Sequence, residues 1–78
     1  MVGRPVDILD YEFGTLAGLV SERLQGAKLI SVGPIDEDQH AAMTVKFNKQ
    51  QVTVSEAREM PPEGFIQMAS LKLFGRIV

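Results

Sequence analysis

The sequence predicts an α+β fold in which a three-stranded antiparallel meander carries an N-terminal and a C-terminal helix on one face, in the order α-β-β-β-α. Three observations predict it. Apolar residues recur at helical spacing near the start of the chain, strict alternation fills the middle, and an apolar run bounded by prolines and a glycine closes it.

In the first element, Leu9, Phe13, Leu16, Val20 and Leu24 follow one another at steps of four, three, four and four, and Ala17 widens the stripe beside Leu16. That is one face of a helix. Asp7 or Asp10 is placed to cap its start, Glu12 lies in the favourable first turn, and Gly26 follows Gln25 where a left-handed residue ends a helix. The helix is expected from about Asp10 to Gln25. Gly14 and Gly18 each weaken it by roughly 1 kcal/mol relative to alanine. An alternative therefore reads Val6 to Phe13 as a strand and starts the helix at Thr15.

Next, Ala27 to Val32 is short, rich in β-branched residues and closed by Gly33-Pro34, the pattern of a strand ended by a turn. After the polar stretch Asp36-Glu37-Asp38-Gln39-His40, Met43, Val45 and Phe47 alternate with Thr44 and Lys46. Beyond Asn48-Lys49-Gln50 the alternation resumes, with Val52 and Val54 set against Gln51, Thr53 and Ser55. This predicts a hairpin with one dry face, made by Met43, Val45, Phe47, Val52 and Val54.

Pro61-Pro62 breaks what precedes it, and Pro62 suits a first helical turn. Phe65 to Phe74 lacks Gly, Pro and every β-branched residue except Ile66, and Gly75 follows at a C-cap position. A helix is expected from about Glu63 to Phe74. Leu71 and Leu73 around Lys72 permit a strand as the alternative.

Composition bounds the function. The 78 residues are 45% hydrophobic and 23% charged, which fits one small folded domain spanning residues 1–78 and excludes disordered and low-complexity classes. No cysteine is present, so disulfides, thiolate-bound metal and thiol catalysis fall away, and a reducing, cytoplasmic setting is expected. No apolar run approaches the roughly 20 residues needed to span a bilayer, and Met1 to Asp10 lacks the apolar core of a signal peptide.

The chemical constellations are weak. His40 with Asp36, Glu37 and Asp38 forms the one cluster of metal-ligand types, yet counting from Asp36 puts Ala41 and Phe47 where a calcium loop needs Gly and Glu. It reads as a solvated acidic loop, with no metal or cofactor expected. Ser21, Ser31, Ser55 and Ser70 all fall inside elements, and none sits in a Gly-flanked nucleophile turn. A pocket of roughly 300 Å³ is uncommon in so small a domain, so no catalytic residue is expected. Nucleic-acid binding lacks support too. The net charge is −2, the basic residues are dispersed, and Phe47 falls on the dry face of the hairpin, where it cannot stack on bases.

Two features point to packing. Gly14 and Gly18, four apart, leave a smooth strip on the first helix that lets another backbone approach closely; it is expected to lie on the chain's own sheet or C-terminal helix, with another protein's surface as the alternative. The C-terminal helix is apolar on more than one side: Phe65, Ala69 and Leu73 share a face, Ile66 and Phe74 diverge from it, and Leu71 lies nearly opposite. Such a helix must be covered on two sides, either by a partner surface or by the three-stranded sheet and the first helix together. The expectation is a non-enzymatic protein-binding module with Phe65, Ile66, Leu71 and Phe74 as anchors, another protein as partner and a homodimer as a candidate state. Alternatives are a nucleic-acid-associated accessory protein and a structural subunit of a larger assembly. In size and composition, not in motif, the chain resembles the small proteins with which phages and mobile elements block host machinery, such as polymerase inhibitors and anti-CRISPR proteins.

Overall fold

A computed structural model describes residues 7–35 and 40–76, and its two helices and three strands follow the order α-β-β-β-α. The start of the chain differs from both sequence readings. A single 3₁₀ turn, Ile8–Asp10, comes first, Tyr11 and Glu12 are extended, and helix α1 runs Phe13–Arg23. Asp7 explains the turn, because its Oδ1 accepts the Leu9 N–H at 2.9 Å and satisfies a donor that the turn leaves open. Of the alternative strand Val6–Phe13, Val6 lies outside the described residues and the rest is not a strand.

The 3₁₀ turn is anchored at both ends of its chemistry. The Ile8 N–H donates to the Arg58 carbonyl at 2.9 Å. Asp7 Oδ2 lies 2.8 Å from Arg58 Nε, an ion pair whose geometry falls short of an aligned hydrogen bond at that buried nitrogen. Ile8 is thereby delivered fully buried to the core. Leu16, Val20 and Leu24 of the expected stripe are buried as well, whereas Phe13 is 51% exposed. Phe13 is the first residue of the helix, and Ile8 fills the core in its place.

The sheet is a meander of β1 (Ala27–Pro34), β2 (His40–Phe47) and β3 (Gln50–Ala57), all neighbours antiparallel. Strand β1 continues through Gly33-Pro34 rather than turning there, and proline is tolerated because β1 is an edge. Its register slips between Leu29 and Ser31, so Ile30 is an extra, exposed residue. The bulge has a reason in the sequence: Leu29 and Val32 are three apart, and only an inserted residue puts both on the face that Val45 and Met43 occupy opposite them.

The expected dry face forms. Met43, Val45 and Val54 are buried with Ala27, Leu29 and Ala41, while Phe47 and Val52 are half-buried. On the other face Thr44 and Thr53, which are register partners, place their hydroxyls 3.0 Å apart. Asn48 turns the hairpin with φ 56°, a left-handed angle that asparagine accepts more readily than most residues.

Helix α2 spans Pro62–Phe74, one residue longer than expected, and ends on Gly75 at φ 76° with the Gly75 N–H donated to the Leu71 carbonyl. Leu71 and Leu73 are therefore helical, not strand. Helix α1 packs chiefly on β1 and α2 on β3, and Phe65, Ile66 and Ala69 close the core against the sheet. No helix among the described residues is long and apolar enough to cross a membrane.

The glycine strip is a correction. A Cβ placed on Gly14 or Gly18 would meet nothing within 4 Å, so the strip faces open space instead of packing on the sheet or α2. The reason is rotational: Leu16 and Val20 take the sheet-facing side of α1, and the two glycines stand on another.

Candidate protein-binding groove

The four sequence-predicted anchors separate into two pairs. Phe65 and Ile66 are spent on the chain's own core, at 0% and 3% exposure, because α2 presents them to the sheet. Leu71 and Phe74 are each 37% exposed. Of these, Phe74 belongs to a groove and Leu71 does not line it.

The groove forms where both helices end. Helix α1 leads through Leu24 and Gly26 into Ala27, which pairs with Phe47 at the end of β2, and α2 brings Phe74 to the same end. Gly26 is needed at this junction: its φ is 89°, and a Cβ there would stand 3.3 Å from the Phe47 ring. The result is an open groove of about 350 Å³ lined by Glu22, Arg23, Leu24, Gln25, Phe47, Phe74 and Arg76. Its volume exceeds what the chain length suggested, because it lies open at the end of the sheet between helix termini, with only Leu24 of the core cluster in its lining.

Two aromatic rings line it together with charges of both signs, the acidic Glu22 and the basic Arg23 and Arg76. Phe47 and Phe74 stack edge to face there. Arg23 Nη2 sits 2.6 Å from Glu63 Oε2, tying the last turn of α1 to the first turn of α2. Both side chains are about half exposed, so the pair stabilises the fold by no more than about 1 kcal/mol. Arg76 is placed by the chain behind it. The left-handed Gly75 reverses the backbone, and the buried Ser70 hydroxyl donates to the Arg76 carbonyl at 2.5 Å. Ser70 thus has a structural task that its position in an apolar run did not announce.

A second small cleft, lined by Gly26, Lys28, Lys46 and Asn48, lies on the helix-free face of the sheet. Lys28 and Lys46 are direct register partners, an arrangement that costs stability between like charges. His40 opens β2 and is exposed, while Asp36, Glu37 and Asp38 lie outside the described residues. Among the described residues no group of three metal-ligand side chains comes together. Compared with known proteins, the chain has no significant match to a family model, a curated protein or a solved structure.

Proposed function

We propose that the protein is a non-enzymatic binding module that takes a segment of another protein into the groove between Phe74 and the end of α1. The observation that carries this reading is Phe74 itself: a large aromatic held half-exposed on Phe47, in a groove also lined by Glu22, Arg23 and Arg76, of which Arg23 is paired with Glu63. Apolar floors with charged rims are the usual anatomy of a binding hot spot. The groove suits an aromatic or large aliphatic side chain with a carboxylate nearby, the apolar group on the Phe pair and the carboxylate on Arg76. A small inhibitor that occupies a surface of a larger protein is the biological role this favours, and a chain without cysteine fits the cytoplasm.

Selection of displayed peptides against the full chain tests it. Enriched peptides should carry an aromatic or aliphatic residue close to Asp or Glu, lose binding to Phe74→Ser, weaken with Arg76→Glu, and bind Phe13→Ser as they bind the wild type. Failure to enrich, or equal binding to Phe74→Ser, would overturn the reading.

The Lys28–Lys46 pair favours a second reading, contact with nucleic acid through the helix-free face. Salt separates the two: phosphate contacts weaken steeply as salt rises, and apolar anchoring in the groove changes little.

A further inference from the structure

The two edges of the sheet are built differently. Edge β1 carries a bulge at Ile30, a proline at 34 and a lysine at 28, each a device that discourages another strand from pairing. Edge β3 carries none of them. Its eight residues pair with β2 in unbroken register, contain no Pro, Gly, Lys or Arg, and hold one charge, Glu56.

Which backbone groups of β3 point outward follows from the hairpin. The two-residue turn closes on the Phe47–Gln50 pair, so Gln50, Val52, Val54 and Glu56 bond to β2, and Gln51, Thr53, Ser55 and Ala57 direct their N–H and C=O groups away from it. The Ala57 carbonyl is consistent with this, since it accepts the Met60 N–H at 3.0 Å. Among the described residues nothing takes up the outward groups of Gln51, Thr53 and Ser55.

We infer that the outer edge of β3 pairs antiparallel with β3 of a second copy of this chain, joining two sheets into one of six strands. The strand is self-complementary about Thr53. With Thr53 on the two-fold axis, the outward groups of Gln51 meet those of Ser55 in the other copy. Val52 meets Val54, which joins the two dry faces and covers the half-buried Val52. Glu56 meets Gln50, so no like charges face one another. The inference is independent of the groove, which lies at the end of the sheet.

Sedimentation equilibrium of the full chain over a range of concentration, with amide hydrogen exchange on the same samples, decides it. A reversible dimer is expected, with the Gln51, Thr53 and Ser55 amides gaining protection as concentration rises. Thr53→Lys places two lysines at the axis on an exposed position and should weaken the dimer at least about tenfold, a cost of about 1.4 kcal/mol, with the circular dichroism spectrum unchanged. Ser31→Lys on β1 is the control and should leave the dimer intact. A monomer at every concentration, a dimer without protection of those amides, or a dimer indifferent to Thr53→Lys would overturn the inference.

Discussion

Phe47 and Phe74 meet edge to face, their ring centroids 5.0 Å apart and their planes inclined at 80°. The contact joins the last residue of β2 to the last residue of α2, so it fixes the end of the helix to the end of the hairpin. Edge-to-face pairs contribute about 0.5–1.5 kcal/mol beyond the area they bury. A double-mutant cycle with Phe47→Leu and Phe74→Leu, followed by urea unfolding, should therefore return a coupling in that range. Additive losses would mean that the two rings touch without supporting each other, and that Phe74 is held by the Ser70–Arg76 turn alone.

Gly14 and Gly18 present a case where the fold gains nothing from glycine. Both are in α1, neither has a positive φ, and the space beside each is open. Replacing either by alanine removes backbone freedom from the unfolded chain and adds helix propensity, worth about 0.5–1 kcal/mol each. Gly14→Ala and Gly18→Ala should raise the thermal midpoint, and their effects should add to within a few tenths of a kcal/mol. A fall in stability for either would show that a backbone approaches the strip in solution.

The element order was legible because two periods do not overlap: Met43 to Phe47 and Val52 to Val54 alternate by two on either side of a turn, and Leu16, Val20 and Leu24 step by four. What escaped the sequence reading depended on single backbone decisions. Asp7 caps a 3₁₀ turn instead of a helix, which shifts the start of α1 by three residues and exchanges Phe13 for Ile8 in the core. The bulge at Ile30 was readable in principle from the odd spacing of Leu29 and Val32, but only once the partner residues Val45 and Met43 are known. The groove was half legible. Phe74 stood out as surplus apolar surface on α2, whereas Arg23 and Arg76 join it only through tertiary proximity that no spacing along the chain encodes. Phe65 and Ile66 carried the same apolar signal as Phe74, and helical periodicity alone could not say which side of α2 the sheet would take.

That ambiguity between core and surface on α2 yields the sharpest prediction. Phe65 is fully buried at the centre of the core cluster, so Phe65→Ala should cost about 3–5 kcal/mol, enough to unfold much of a domain this small. Phe47 is only half-buried, so Phe47→Ala removes less contact and should cost roughly half as much. Leu71 lies on the far side of the same helix at 37% exposure, and its backbone carbonyl, not its side chain, receives the Gly75 N–H. Leu71→Glu should therefore change stability by no more than about 0.5 kcal/mol, as exposed positions do. Circular dichroism melts of the three variants set the order directly: Phe65→Ala lowest, Phe47→Ala intermediate, Leu71→Glu near the wild type. If Leu71→Glu melts as low as Phe65→Ala, the outer side of α2 is covered in solution. A surface of another copy or of another protein would then have to bury it there.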